Sequence, residues 1–181
     1  EEVIVLPGIK QFDLSGKAAV ITGGSKGLGE AMAAGLASAG AEVMIVSRHL
    51  DEAQSAADQI ATDFGHKAIA HQCDVSSQAD TEALASSALE QLDRVDILVN
   101  NAGTSAAGPF ESVTDEGWQT DLDLKLFGAI RFCRLAIPHM REQGGGRIIN
   151  VTNLGAKAPA AASVPTSVSR AAGIAVTKAM S

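Results

Sequence analysis

The sequence predicts an α/β domain of three layers, in which a doubly wound parallel sheet lies between two layers of helices. Short apolar segments alternate along the chain with segments of helical spacing. The apolar segments are nearly continuous, as strands covered on both faces require. Strands that alternate with helices imply right-handed crossovers and a parallel sheet. The length of 181 residues fits one domain, and we assign residues 1–181 to it.

The elements follow one another in a regular order. Strands are predicted at 17–22, 42–47, 68–73, 95–99 and 147–152, and helices between them at 27–39, 51–64, 81–92 and 115–143. The longest helix carries an apolar stripe, which fits either a core-facing side or a subunit interface. The stripe is formed by Leu122, Leu126, Ile130, Cys133 and Ile137. A last helix follows a loop of small residues, with Ser163 as its expected N-cap and Pro165 in its first turn.

Composition and charge exclude several classes of protein. The net charge of −7 disfavours nucleic acid or an anionic membrane as the main partner. No apolar run approaches the roughly 20 residues that span a bilayer, and residues 1–3 lack the basic start of a signal peptide. Cys73 and Cys133 show no metal-ligand spacing, so we expect two buried thiols, no metal site and a cytoplasmic location.

A glycine-rich loop follows the first strand directly. Residues 22–29 read TGGSKGLG, with glycines at 23, 27 and 29 of the motif. Such glycines permit a sharp turn and close approach to a pyrophosphate, and the helix that follows offers free N–H groups at its positive end. We expect Gly29→Val to block that approach without unfolding the domain. Since the loop lies between a strand and a helix, it predicts a dinucleotide-binding Rossmann domain.

The spacing Gly-x-x-x-Gly-x-Gly behind a threonine resembles the classical short-chain dehydrogenase/reductase family. Two further stretches match family motifs, Asn100-Asn101-Ala102-Gly103 after the fourth strand and Cys73-Asp74-Val75 after the third. The resemblance runs through nearly the whole chain. It implies a nicotinamide cofactor, a small-molecule substrate, and a homo-oligomer, dimer or tetramer, that pairs through the long helix and the one after it.

The glycine loop and the family motifs together indicate a set of cofactor-binding residues. They are Gly23, Ser25, Lys26, Gly27, Leu28, Gly29, Ser47, Arg48, Asp74, Val75, Asn101, Ala102, Gly103 and Arg170. In the family, the aspartate at the place of Asp74 holds the adenine amine.

The end of the second strand indicates NADP(H) rather than NAD(H). NAD-binding relatives carry an acidic residue there, whereas this chain has Ser47 followed by Arg48. Arg48 can hold a 2′-phosphate in a bidentate manner, and Lys26 stands at a second position that is basic in NADP-preferring relatives. Asp51 and Glu52 come too late for the acidic position and are expected to start the next helix. The alternative is that Lys26 and Arg48 are solvated surface cations.

The resemblance fails at the catalytic residues. In the family, an Asn, a Ser and a Tyr-x-x-x-Lys carry the proton transfer, and their places fall here on Lys125, Asn153, Thr166 and Arg170. The chain contains no tyrosine. We expect Arg170 to donate to ribose hydroxyls and Asn153 to bond a carbonyl oxygen. Lys125 is then the expected proton donor, and the alternative is that it is a solvated residue at the helix edge. The Thr166 hydroxyl is too weak an acid to replace a phenol, so Thr166→Ala should have little effect on activity.

Two cations at one site imply an anion. Lys125 and Arg170 should recruit a substrate carboxylate or phosphate, or a local acid such as Asp123. Two functions stay open: an NADP(H)-dependent oxidoreductase acting on a carbonyl or alcohol with an atypical acid–base site, or a non-catalytic NADP(H)-binding sensor or partner subunit. Relatives continue through two more strands and a substrate-covering loop, so we expect this domain to be incomplete at its C-terminal end.

Overall fold

The computed structural model describes residues 12–181 and has the predicted α/β architecture. The strands are β1 Ala18–Thr22, β2 Glu42–Ser47, β3 Ala68–Gln72, β4 Ile97–Asn100 and β5 Arg147–Asn150. The helices are α1 Gly27–Ser38, α2 Leu50–Phe64, α3 Gln78–Leu92, α4 Asp115–Leu122, α5 Gly128–Glu142 and α6 Thr166–Met180. All strand pairs are parallel and the sheet order is β3-β2-β1-β4-β5. The strand order reverses between β1 and β4, which confirms a doubly wound sheet.

The central strand β1 is buried along its whole length and divides the core into two halves. Val20 faces one half, where it packs with Leu84 of α3 and Phe132 of α5. Ile21 faces the other half, with small residues such as Ala33 of α1 and Ala57 of α2. Alternate residues of a strand point to opposite faces, so a strand covered on both sides must be apolar throughout. This is why the strands read as continuous apolar runs.

Three helix starts differ from the sequence prediction, and that of α2, at Leu50 rather than 51, differs by a single residue. Helix α3 begins at Gln78 rather than at 81, because the Ser77 hydroxyl accepts a hydrogen bond from the Asp80 N–H at 3.3 Å and caps the helix there. Helix α6 begins at Thr166, with Pro165 at the N-cap position. Ser163 is therefore not the cap, and its hydroxyl instead donates to the Ala160 carbonyl at 2.6 Å.

The predicted long helix is continuous but contains a π-helical turn, Asp123–Phe127, between α4 and α5. A π-turn adds a residue to one turn and thereby shifts which side chains face inward. The buried positions around it are Asp121, Lys125, Gly128, Phe132 and Cys133. In the predicted apolar stripe, only Cys133 is buried and the other four members are half-buried. The row that faces the core is thus a different one.

Within residues 12–181, no helix is long and apolar enough to cross a membrane. The same part of the chain holds no cluster of three His, Cys, Asp or Glu side chains that could bind a metal ion. Cys73 and Cys133 are both free and buried, as predicted. The expectation about a signal peptide concerned residues 1–3, which lie outside the described residues.

Candidate functional site

An open cleft of about 340 Å³ lies at the carboxyl ends of the strands, where the strand order reverses. Open parallel sheets bind ligands at such switch points. Most of the predicted cofactor residues line it, namely Gly23, Ser25, Lys26, Leu28, Gly29, Ser47, Arg48, Val75, Asn101, Ala102 and Gly103. Gly27, Asp74 and Arg170 are not part of the lining. Glu52, His49 and Thr104 line the cleft and were not predicted to do so.

The glycine loop fits a pyrophosphate. Gly23 and Gly27 adopt left-handed conformations, with φ of 63° and 59°, which a residue with a side chain rarely takes. No atom lies within 4 Å of the place where a Cβ of Gly27 would stand. Lys26 is the N-cap of α1 and its side chain makes no capping hydrogen bond, so the first amides of the helix have no side-chain partner. These N–H groups and the positive helix end suit a phosphate group.

Gly29 packs closely against the glycine loop and the loop that follows β4. A Cβ at this position would overlap the Gly23 carbonyl oxygen and lie 2.6 Å from the Asn101 side-chain nitrogen. Both contacts are with the loop itself and its neighbour. Valine at this position would therefore distort the loop itself, in addition to the predicted block of a pyrophosphate, which stays a prediction.

Thr22 and Asn101 connect the glycine loop to the loop that follows β4. The Thr22 hydroxyl accepts hydrogen bonds from the N–H groups of Asn101 at 3.0 Å and Ala102 at 3.1 Å, and donates to the Val99 carbonyl at 3.2 Å. The Asn101 amide donates to the carbonyls of Thr22 at 3.1 Å and Gly23 at 3.0 Å. Asn101 is thus a positioning residue, whose side chain holds the phosphate loop. Thr22 was not predicted to have this role. A hydroxyl residue at the end of an apolar strand, directly before the glycine motif, could have identified it.

Among residues 12–181, the end of β2 presents one unpaired cation, Arg48, to the cleft. The Ser47 hydroxyl is bonded to the Ser25 hydroxyl at 3.1 Å and accepts from the His49 N–H at 3.3 Å, so it closes the end of the strand. Arg48 is exposed, and its guanidinium forms no ion pair with any residue of 12–181. No hydrogen bond from the Arg48 side chain to the described part of the chain occupies its donors, so within this part they are available to a ligand.

The second predicted cation of this region is already paired. Lys26 Nζ lies 3.2 Å from the Glu52 carboxylate, which also accepts a hydrogen bond from the Ser25 hydroxyl at 3.2 Å. Glu52 is in the first turn of α2, as predicted, but its side chain reaches back to the glycine loop. A hydrogen bond from Lys26 holds the pKa of Glu52 below its usual value against the opposing effect of desolvation. The carboxylate is therefore charged at neutral pH.

The turn after β3 borders the cleft. Asp74 accepts hydrogen bonds from the N–H of Ser76 at 2.9 Å and its hydroxyl at 2.6 Å, both on the same carboxylate oxygen. Asp74 and Arg48 both line a neighbouring open cavity. Burial, with the charges of Asp80 and Asp74, raises the pKa of the Cys73 thiol to about 12. Cys73 therefore stays protonated at neutral pH and supplies no thiolate to the cleft.

The predicted catalytic residues Lys125 and Thr166 lie together beneath the surface. The Lys125 side chain is 0% exposed, which excludes a solvated position at the helix edge. Its ammonium group pairs with Asp121 and donates to the Thr166 hydroxyl at 2.8 Å. Asp121 also accepts a hydrogen bond from the Ser169 hydroxyl at 2.6 Å. The four side chains join α4, the π-turn and α6 in one polar network.

The anion beside Lys125 is Asp121. Asp123, which the sequence suggested as a local acid for this place, lies elsewhere. Residues two apart on a helix point to different sides, whereas residues four apart share a face. Asp123 instead faces Arg131, with 3.6 Å between the carboxylate and the guanidinium. The spacing of Asp121 and Lys125 was a signal in the sequence that could have identified the pair.

The Thr166 hydroxyl has every hydrogen-bonding position in use. It accepts from Lys125 Nζ at 2.8 Å and the Ala106 N–H at 3.1 Å, and donates to Asp121 at 3.3 Å. A hydroxyl has one proton and two lone pairs, so none is left for a substrate. The donation to Asp121 is the longest of the three contacts. Since the Lys125 side chain is sealed from solvent, Thr166 can pass a proton from it to a ligand only when the hydrogen bond from the Thr166 hydroxyl to Asp121 opens.

The other two predicted catalytic residues, Arg170 and Asn153, do not belong to this hydrogen-bonded network. The Arg170 guanidinium donates to the Val151 carbonyl at 2.7 Å and lies against Gly103, where a Cβ would collide with it. It therefore reaches the border of the cleft without lining it. Burial lowers the pKa of Arg170, and the charge of Asp121 opposes that shift. Asn153 is exposed after β5, and its side chain forms no hydrogen bond with residues 12–181.

Comparisons with known proteins agree with this geometry. The family model described as short chain dehydrogenase matches residues 17–181. The 7α-hydroxysteroid dehydrogenase of Escherichia coli is 36% identical over 144 residues, which are 80% of this chain and 56% of that protein. The D-threitol dehydrogenase of Mycolicibacterium smegmatis is 35% identical over 143 residues, 78% of this chain and 54% of that protein. The chain thus spans little more than half the length of these relatives.

Solved structures extend the similarity to the fold. A 7α-hydroxysteroid dehydrogenase complexed with NADH and 7-oxo glycochenodeoxycholic acid superposes with a TM-score of 0.91 at 32% identity, over 97% of this chain and 68% of that one. An L-sorbose reductase from Gluconobacter frateurii, complexed with NADPH and L-sorbose, superposes with a TM-score of 0.91 at 35% identity. The match covers 93% of this chain and 64% of that one. The matched family model, these relatives and the shared fold together show that the chain belongs to the classical short-chain dehydrogenase/reductase family.

Proposed function

We propose that this protein is an NADP(H)-dependent oxidoreductase that transfers hydride between the nicotinamide and a carbonyl or alcohol substrate. The observation that carries the proposal is the cleft at the strand reversal, where the uncapped start of α1 meets the free guanidinium of Arg48. The first suits a pyrophosphate and the second a 2′-phosphate. Ser47 leaves the place of an NAD-selecting carboxylate without a charge.

The charge balance favours a 2′-phosphate over a 2′-hydroxyl. A hydrogen bond to a charged group contributes about 1.5–3 kcal/mol, so a single contact with Arg48 corresponds to roughly 10–100-fold in affinity. The structural relatives include one complexed with NADH and one with NADPH, which supports a nicotinamide cofactor in general. The choice of NADP(H) therefore rests on this chain's own residues.

The residues near the nicotinamide would bind the substrate carbonyl and the ribose and would supply the proton. The nicotinamide would supply or accept the hydride. Asn153, whose amide has no partner among the described residues, would hold the carbonyl oxygen. Arg170 would donate to the ribose from beside Gly103. The proton would come from Lys125 by way of the Thr166 hydroxyl, which accepts a hydrogen bond from the buried ammonium at 2.8 Å.

Binding titrations test the cofactor assignment. NADPH and NADH are titrated against the protein by nicotinamide fluorescence, and the starting protein is expected to bind NADPH at least tenfold more tightly. Arg48→Glu should remove this preference, because it places a negative charge beside the 2′-phosphate. Arg141→Glu is the matched control, since Arg141 is exposed on α5 and does not line the cleft. Equal affinities in the starting protein, or a preference that survives Arg48→Glu, would contradict the proposal.

A second candidate is a non-catalytic NADP(H)-binding protein, a sensor or a partner subunit. The specific observation in its favour is the closed network at Lys125 and Thr166, in which the Lys125 ammonium is buried against Asp121 and the Thr166 hydroxyl has no free position for a substrate. Such a protein would bind NADPH with the preference described above but would not oxidise it in the presence of any aldehyde or ketone. Measurable NADPH oxidation that depends on a carbonyl compound excludes this candidate.

We further propose that the protein forms a homo-oligomer through α4, α5 and α6 and works in the cytoplasm. The family resemblance supports the first expectation, since relatives pair through the corresponding helices. The half-buried apolar residues Leu122, Leu126, Ile130 and Ile137 on the long helix are available to contribute to it. Sedimentation of the purified protein measures the oligomeric state directly.

A further inference from the structure

Glu52 is an anion inside the region where the 2′-phosphate of NADP(H) is proposed to bind. Its carboxylate lies 3.2 Å from Lys26 Nζ and 3.2 Å from the Ser25 hydroxyl, and it lines the cleft together with Arg48. Ser25 in turn bonds to Ser47, so Glu52 is tied to both the glycine loop and the end of β2. The acidic residue that selects NAD(H) in relatives belongs to the end of β2. Glu52 comes from a different element, the first turn of α2.

The pairing has two consequences for a 2′-phosphate. Lys26 already has a carboxylate partner, so a phosphate must compete with Glu52 for its ammonium group. A phosphate that reaches both Lys26 and Arg48 also comes near a second negative charge. Both effects weaken the binding of a 2′-phosphate, and neither acts on the uncharged 2′-hydroxyl of NAD(H).

We propose that Glu52 is a specificity-determining residue, which competes with the 2′-phosphate for Lys26 and lowers the preference of the cleft for NADP(H) over NAD(H). This inference rests on the proposed dinucleotide function of the cleft. Arg48 and Lys26 attract the phosphate, and Glu52 opposes them, so the chain is able to bind both cofactors. The side chain of Lys26 is 76% exposed and that of Glu52 is 36% exposed, so the pair can open without disturbing the core.

The test compares Glu52→Gln with Asp51→Asn. Asp51 is the neighbouring acid in the same helical turn, is exposed, and does not line the cleft. Both variants remove one negative charge and keep the shape of the side chain, so Asp51→Asn corrects for the charge at the helix start. Thermal melting of each variant confirms that it folds.

Glu52→Gln is expected to raise the ratio of NADPH to NADH affinity about tenfold, the size of one charge-assisted contact. Asp51→Asn should change the ratio less than about twofold, because an exposed charge outside the cleft is screened. The same comparison with adenosine 2′,5′-bisphosphate and adenosine 5′-monophosphate isolates the phosphate, since the two probes differ only there. Adenosine 2′,5′-bisphosphate should bind Glu52→Gln more tightly than it binds the starting protein, whereas the affinity for adenosine 5′-monophosphate should not change.

Two results would overturn the inference: an unchanged ratio in Glu52→Gln, or an equal rise in Asp51→Asn. The failure of the proposed function looks different. If the starting protein binds NADH as well as NADPH and Glu52→Gln still raises the ratio, the proposed cofactor preference is wrong and the role of Glu52 stands. If the starting protein binds neither nucleotide, both proposals fall.

Discussion

Replacing Lys125 by methionine should destabilise the fold, because it leaves the buried Asp121 without its cation. The two side chains are 0% and 1% exposed, so the pair is sealed from water. Removal of one partner from such a pair costs about 3–5 kcal/mol, mainly because the other charge stays buried and unpaired. In Lys125→Met, Asp121 keeps the donors of Ser169 at 2.6 Å and Thr166 at 3.3 Å, neither of which carries a positive charge.

The second variant is Lys125→Met/Asp121→Asn. The asparagine is neutral and can still accept the hydrogen bond from Ser169, so the buried site then contains no charge. Replacement of a whole buried ion pair by neutral groups is often close to neutral for stability. We therefore expect the double variant to be more stable than Lys125→Met, with a coupling energy of about 2–3 kcal/mol.

Urea unfolding followed by circular dichroism measures these free energies, and thermal melting gives a second readout. For a domain of this length, a loss of 3–5 kcal/mol corresponds to a Tm lower by roughly 6–20 °C. Lys178→Met is the control, because Lys178 is exposed on α6 and its loss should change stability by no more than about 0.5 kcal/mol. A cost below about 1 kcal/mol for Lys125→Met would refute the reasoning. So would a double variant whose cost is the sum of the two single costs.

This result bears on any measurement of catalysis. An inactive Lys125→Met protein would otherwise be taken as evidence that Lys125 donates a proton. Because the same substitution removes the cation that neutralises Asp121, loss of activity is informative only beside the double variant. A folded double variant that binds NADPH but does not turn over would indicate a chemical role for Lys125.

Two further predictions concern the hydroxyl of Thr166, which is bonded to Lys125 and Asp121, and the buried carboxylate of Asp96. From the sequence we expected loss of the Thr166 hydroxyl to matter little, but the hydrogen bond that this hydroxyl accepts from Lys125 Nζ at 2.8 Å leads to the opposite prediction. If the proton of Lys125 passes through Thr166, Thr166→Ala should lower turnover by about 10²–10⁴-fold with NADPH affinity unchanged, and Thr166→Ser should retain activity. Unchanged turnover in Thr166→Ala would show that the proton comes from elsewhere. At Asp96, burial alone would raise the pKa, but hydrogen bonds from Arg94, the Ala18 N–H and Lys17 lower it below 3.8. A carboxyl group whose pKa is lower in the folded state stabilises the fold at pH values above its unfolded pKa, and this stabilisation is lost as the pH falls through its folded pKa. The difference in unfolding free energy between the starting protein and Asp96→Asn should therefore be constant above about pH 5 and shrink below pH 3.8. A difference that stays constant down to pH 3 in urea unfolding would contradict this assignment.

The sequence by itself determined the sheet and the glycine loop, and it predicted a departure from the family's catalytic residues. These features depend on local pattern: apolar runs of strand length, glycines at 23, 27 and 29, and Asn100 to Gly103 at the end of a strand. A strand followed by a glycine loop and a helix places its backbone in one way, whatever lies elsewhere in the chain. The absence of tyrosine is likewise a fact of the sequence alone.

The tertiary structure decided which charged groups meet. Glu52 and Lys26 are far apart in the sequence, and only the angle at which α2 leaves β2 brings the carboxylate back to the glycine loop. The sequence predicted Lys125 as a site residue, but the π-turn and the packing of α6 decided that it points inward to Asp121 and Thr166. The direction of a side chain depends on the phase of its helix and on the segments packed against it, and neither is a local property of the sequence.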